Sequence, residues 1–182
     1  MEFITALDTE ILWLIQSVPH GSGLDSLMIF LSRIGDGGAV WIALTAVLLI
    51  SKKNRRIGMA MAMAMLLCFL VGNLGIKPWV ARLRPYQVDL SISLLIPPPA
   101  EFSFPSGHTM NAFAATTALG CSSRRWGGYA LLLAALIAFS RLYLMVHYPT
   151  DVIAGVLIGV AGGIAAHALV ERFVPVSSPH QR

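Results

Sequence analysis

The chain alternates between long apolar runs and short polar breaks. Five runs read as membrane-crossing helices, over about residues 36–51, 57–76, 107–122, 127–146 and 151–172. Each approaches the roughly 20 apolar residues a helix needs to cross a hydrocarbon core. The first run is short and extends backward through residues 24–34, with a kink expected at Gly35-Asp36-Gly37-Gly38. Residues 3–18 are mixed. Asp8 and Glu10 disfavour a crossing, whereas residues 11–18 are strongly apolar. A tilted first span gives six helices; the alternative is five spans and an interfacial N-terminal helix. No repeat or linker interrupts the pattern, and 182 residues suit a single domain over 1–182. The expected fold is therefore all-α: a polytopic transmembrane helical bundle of about six spans.

Composition supports that reading. Hydrophobic residues make up 56% of the chain and charged residues 12%, against roughly 25% charged in a soluble domain. The net charge of +4 does not indicate nucleic acid, because the charge is concentrated in loops. Lys52, Lys53, Arg55 and Arg56 lie between two apolar runs, and Arg124 and Arg125 between two others. Basic loops mark the cytoplasmic face. The C-terminal tail, with Arg172 and Arg182, then falls inside, while 77–106 and the turn near 147–150 fall outside. Arg33, Lys77, Arg82, Arg84 and Arg141 are left on the outer face against the charge rule and need another explanation. Cys68 and Cys121 sit in apolar runs without disulfide or zinc spacing. The N-terminus lacks the basic start of a cleaved signal peptide. Gly155, Gly159 and Gly163 recur every four residues, which favours close helix contact within the monomer, with a homodimer as the alternative.

Three polar stretches fall on the outer face, and polar groups at membrane depth are costly enough to be informative. In the first, Lys77 and Arg84 lie seven residues apart, about two helical turns, and Pro85 is expected to stop the helix. Two convergent cations suit phosphate. Taken alone, the stretch is better explained by snorkelling to headgroups, and Arg82 is the stronger snorkelling candidate. The second stretch is Pro105-Ser106-Gly107-His108, at the start of an apolar helix. Free N–H groups and the helix dipole there can bind an anion. Gly107 permits close approach, Ser106 adds a hydroxyl, and His108 can handle a proton. An ordinary Ser cap beside an interfacial histidine explains it equally well. In the third, Arg141 precedes His147, and Asp151 lies four residues after His147. A carboxylate there would hold one ring N–H and leave the other nitrogen free as nucleophile or base. A helix-capping role for Asp151 competes with this reading. Only His147 has a carboxylate at helical spacing. No metal constellation is visible.

Together the stretches resemble the type 2 phosphatidic-acid phosphatase superfamily. Its signature is matched in order as Lys-x6-Arg-Pro at 77–85, Pro-Ser-Gly-His at 105–108 and Ser-Arg-x5-His-x3-Asp at 140–151. The resemblance covers about residues 24–172. It implies that Lys77, Arg84 and Arg141 bind phosphate oxygens, with Ser106 and the Gly107 backbone adding hydrogen bonds. It implies that His147 attacks phosphorus to form a phosphohistidine, that Asp151 orients His147, and that His108 protonates the leaving oxygen. No metal or cofactor is implied.

The expected function is hydrolysis of a lipid phosphate or pyrophosphate in a bacterial inner membrane, with the site facing the periplasm or cell exterior. Small bacterial members of the family point to undecaprenyl pyrophosphate. Phosphatidylglycerophosphate, phosphatidic acid and lipid A are alternative substrates, and phosphate transfer to another lipid is an alternative reaction. Vanadium-dependent haloperoxidases share the anion site but are soluble. A membrane anion transporter is the non-enzyme alternative. The expected partners are the lipid substrate and the bilayer, not nucleic acid.

Overall fold

A computed structural model of the chain describes residues 2–17 and 20–174. The described residues contain helices and no strand: α1 (Glu2–Gln16), α2 (Ser22–Ile34), α3 (Ala39–Ile50), α4 (Arg55–Cys68), α5 (Lys77–Val80), α6 (Pro85–Val88), α7 (Gly107–Ser122), α8 (Arg124–Tyr143) and α9 (Pro149–Phe173). A short 3-10 turn (Asp36–Gly38) joins α2 to α3, and a π-helical segment (Phe69–Ile76) continues α4 into α5. The Arg182 end of the basic tail lies outside the described residues.

The apolar runs locate the helices well. Three helical stretches are long and apolar enough to cross a bilayer: Arg55–Val88, Arg124–Tyr143 and Pro149–Phe173. A fourth forms if α2 and the run Asp36–Ile50 act as one broken span, bent by 48°. The bend falls at the glycines where the kink was expected. Gly37 and Gly38 have φ of 59° and 76°, left-handed values that glycine adopts without a Cβ penalty. With 15 residues, α1 falls short of the length needed to span, as does α7 with 16, so length and composition support three or four spans among the described residues.

The core forms around α7. Met110, Ala112, Ala114, Ala115 and Ala118 are fully buried, and α4, α8 and α9 pack against this helix. Small residues set the approach. A Cβ on Gly155, Gly159 or Gly163 would lie 2.9, 2.5 or 2.7 Å from the backbone oxygens of Ser106, Met110 and Ala114. The glycine spacing on α9 thus serves a contact within the monomer. Leu132, Val47 and Leu157 remain largely exposed, as expected of apolar side chains facing lipid.

One local expectation is overturned. Lys77 and Arg84 do not share a helix. The helix ends at Val80, Ala81 turns left-handed at φ 47°, and residues 81–84 leave the helical path. Pro85 does not stop that helix; it opens α6 at the first position, where its missing N–H costs nothing.

Candidate active site

The N-termini of α7 and α9, the C-terminus of α8 and the α5–α6 turn meet at one end of the bundle. They enclose a cavity of about 290 Å³ whose lining includes Lys77, Arg84, Gly107, His108, Arg141 and His147. Lys77, Arg84, Arg141 and His147 are each no more than 5% exposed. Six of the eight residues singled out in the sequence therefore share one cavity. The other two lie behind its wall. Ser106 is fully buried and its hydroxyl accepts from Thr109 Oγ1 at 3.0 Å. Asp151, also fully buried, supports His147 from the rear.

Arg84 is held by backbone. Its Nε donates to the Glu101 carbonyl at 2.7 Å, its Nη2 to Phe102 O at 3.3 Å and its Nη1 to Val146 O at 2.6 Å. The same Nη1 lies 3.2 Å from His147 Nε2. A guanidinium can only donate, so Nε2 must present its lone pair and the ring proton must sit on Nδ1. That side faces Asp151, whose Oδ2 lies 3.5 Å from Nδ1. Burial away from water holds the His147 pKa far below its usual value, at about 3. The hydrogen bond to Asp151 opposes this shift, whereas Arg84 and Arg141 add to it. His147 is therefore a neutral imidazole whose unprotonated Nε2 lies on the cavity side, its lone pair accepting from Arg84.

Asp151 does both things the sequence left open. Its Oδ2 accepts from the Tyr148 N–H at 2.8 Å, capping α9, while also facing His147. It further accepts from Ser103 Oγ at 2.5 Å and, through Oδ1, from Arg82 Nη1 at 2.7 Å. Arg82 is therefore not a snorkelling residue. Its Nη2 donates to Asp8 Oδ2 at 2.6 Å, and its guanidinium stacks 4.0 Å over the Tyr148 ring. Asp8, on α1, is buried and also accepts from Thr150 N at 2.9 Å and Thr150 Oγ1 at 2.5 Å. The N-terminal segment, silent in the signature, thus braces the site.

Three further acids and hydroxyls complete the geometry. His108 Nε2 lies 2.8 Å from Asp36 Oδ1, so His147 is not the only histidine with a carboxylate partner. Lys77 Nζ donates to Glu101 Oε2 at 2.5 Å, and this hydrogen bond holds the Glu101 carboxyl below its usual range. Arg141 donates to Ser32 Oγ. Asp8, Asp36 and Ser32 were missed because each comes from a distant part of the chain, whereas Glu101 and Ser103 sit just before Pro105 but in a loop without a helical period to show where they point. Asp36 had a signal, an acid inside a glycine kink, but that signal was read only as a bend.

Residues 55–175 match the PAP2 superfamily. An undecaprenyl-diphosphatase of Sulfolobus acidocaldarius is 38% identical over 137 residues, covering 75% of this chain and 66% of that protein, just under two thirds of its length. A lipid A 4'-phosphatase of Bacteroides thetaiotaomicron is 32% identical over 190 residues, covering 94% of this chain and 82% of that one. Among solved structures, the crystal structure of Aquifex aeolicus LpxE superposes with a TM-score of 0.77 at 30% identity, over 88% of this chain and 94% of that one. The matched segment holds all three signature stretches, and the chain belongs to the PAP2 superfamily.

Proposed function

We propose that the protein is a membrane lipid phosphatase of one domain that hydrolyses a prenyl diphosphate of the undecaprenyl type through a phosphohistidine. The observation that carries the chemistry is the neutral His147, whose unprotonated Nε2 is held by Arg84 at a cavity also lined by Lys77 and Arg141; an incoming phosphate would have to take over that Arg84 donor before Nε2 attacks. The resemblance to an undecaprenyl-diphosphatase supports the substrate.

In the first step the Nε2 lone pair attacks phosphorus. The bond from phosphorus to the leaving oxygen breaks, and His108 supplies the proton that oxygen needs. Asp151 holds the Nδ1–H and stabilises the ring as positive charge develops. Arg84, Arg141, Lys77 and the Gly107 N–H take the charge on the equatorial oxygens, where preorganised donors count most. In the second step water attacks the phosphohistidine, His108 accepts its proton, and inorganic phosphate and free His147 result.

The same reading has six crossings, counting α2–α3 as one broken span and including α1 and α7. It faces the cavity to the outer side of an inner membrane, away from the Lys52–Arg56 and Arg124–Arg125 loops. A phosphorylated-sugar lipid is the second substrate reading, favoured by the lipid A 4'-phosphatase relative that covers 94% of the chain.

The test is phosphate release in detergent from a panel of prenyl diphosphate, prenyl phosphate, phosphatidylglycerophosphate and lipid A, with vanadate and with chelator. Activity that survives chelator and is abolished by vanadate is expected. Strict metal dependence, or a phosphoenzyme trapped in His147→Ala, would overturn the mechanism.

A further inference from the structure

Two side chains in the cavity have no role in the mechanism above. Asn73 and Asn111 both line it. Neither carboxamide makes a hydrogen bond among the described residues, and the Oδ1 of each is buried without a partner. A half-turn of either amide exchanges O for NH2 and leaves the same unmet need. Native proteins rarely leave such groups unpaired. Two such side chains line one polar cavity, and the Nδ2 donors of both lack an acceptor among the described residues.

Their placement is specific. Asn73 lies in the π-helical segment, one turn before Lys77. Such wide turns cluster at functional sites, and this one carries the amide to the cavity wall. A Cβ on Gly107 would lie 3.5 Å from Asn73 Oδ1 and 3.7 Å from Lys77 Nζ, so the amide and the ammonium meet over Gly107. Asn111 follows His108 by three residues on α7 and shares its face. Across from it is Gly38, where a Cβ would lie 3.6 Å from Asn111 Nδ2. A leaving group that takes its proton from His108 would lie within one helical turn of Asn111. The cavity of about 290 Å³ is roughly ten times the ~30 Å³ share of one liquid water, more than the five heavy atoms of one phosphate fill.

We propose that Asn73 and Asn111 form a leaving-group subsite that binds the second phosphate of a lipid diphosphate, making the enzyme selective for diphosphates over monophosphates. The proposal rests on the phosphatase reading above. Each carboxamide offers two N–H donors without added charge. Three cations already serve the phosphate under attack. Neutral donors can hold the second phosphate and still release it as the product monophosphate.

The experiment compares farnesyl diphosphate with farnesyl phosphate, which share one chain, on the full-length protein in detergent. Wild type, Asn73→Ala, Asn111→Ala and the double variant are assayed for phosphate release. Each hydrogen bond lost to a charged group should lower kcat/KM by about tenfold or more. The double variant is expected to lose at least about tenfold on the diphosphate and less than about threefold on the monophosphate. Monophosphate turnover reports that each variant is folded, and the milder Asn73→Ser or Asn111→Ser replaces the alanine at whichever position fails it. Equal losses on both substrates, or no loss on the diphosphate, would overturn the subsite. If wild type hydrolyses none of these, the phosphatase reading itself falls, and the subsite falls with it.

Discussion

Asp8 offers a sharp test of how the site is held, because it lies outside the signature and on a helix whose place in the fold was ambiguous in the sequence. Asp8→Asn keeps the shape and removes the charge. The carboxylate accepts from Arg82 Nη2, Thr150 N and Thr150 Oγ1 at 2.5 to 2.9 Å. The amide can keep one acceptor, toward the Thr150 N–H, but its NH2 then meets the Arg82 guanidinium donor to donor. Thr150 can rotate its hydroxyl, so the main loss is the ion pair. Breaking a buried pair costs about 3–5 kcal/mol. The Arg82 side chain is 20% exposed and retains Asp151, which places the expected loss nearer 2–3 kcal/mol. For a chain of this size that is roughly a 5–10 °C fall in Tm. Thermal unfolding in detergent measures it, with Glu10→Gln as control, since Glu10 is exposed two residues further along. The rate should fall too, because Arg82 would pull Asp151 Oδ1 without the opposing pull of Asp8. A Tm within 1 °C of the control would refute the role of α1 as a brace.

Asp36→Asn should lower kcat on alkyl phosphates by roughly 10–100-fold, within the range a general acid contributes, and barely affect p-nitrophenyl phosphate, whose leaving group needs no proton; equal losses would dissociate Asp36 from proton delivery. Gly159→Ala should destabilise by about 1–3 kcal/mol because its Cβ would lie 2.5 Å from Met110 O, whereas Gly128→Ala, with nothing within 4 Å, should be neutral or stabilising by up to about 1 kcal/mol. The pH dependence follows from His147. Its pKa falls from 6.5 unfolded to about 3 folded, so below pH 6.5 the unfolded chain binds a proton that the fold refuses. Stability from this group is complete above 6.5 and is lost as pH falls toward 3. Between pH 7 and 5 the loss is about 2 kcal/mol, and His147→Asn should escape it in denaturation experiments at the two pH values.

The sequence revealed the helices because apolar runs in a membrane chain report burial in lipid or protein directly. It revealed the cavity residues because three costly polar stretches fall at one membrane face and match one signature in order, although each alone had an ordinary explanation. Where it failed, the geometry depended on a break that hydropathy does not register. Residues 57–76 read as one straight helix, yet Phe69–Ile76 is π-helical, and this widening changes which side chains face the cavity. Lys77 and Arg84 converge as expected, but through the left-handed turn at Ala81 and not through two helical turns. Asp8 and Arg82 were assigned to an awkward span and to headgroups. Each is instead the other's partner, 74 residues apart in sequence, and no local pattern encodes such a pair.

Pairing also determines which cations are free to act. Arg82 is neutralised by Asp8 and Asp151, so it braces the site and adds little field to the cavity. Arg84 and Arg141 are different. Arg84 is held by three backbone carbonyls and Arg141 by the Ser32 hydroxyl. These partners fix geometry without cancelling charge, so both guanidiniums keep their field at the cavity, as the proposed phosphate-binding role requires. Lys77 is intermediate. Its salt bridge with Glu101 is short, but the Glu101 side chain is 62% exposed and can move to water when a phosphate takes its place. In the proposed mechanism, substrate binding would exchange one anion for another at Lys77 and add charge only at Arg84 and Arg141. That division avoids collecting three unpaired cations in a buried mouth, which would be costly, and under the proposed mechanism it leaves two for the transition state.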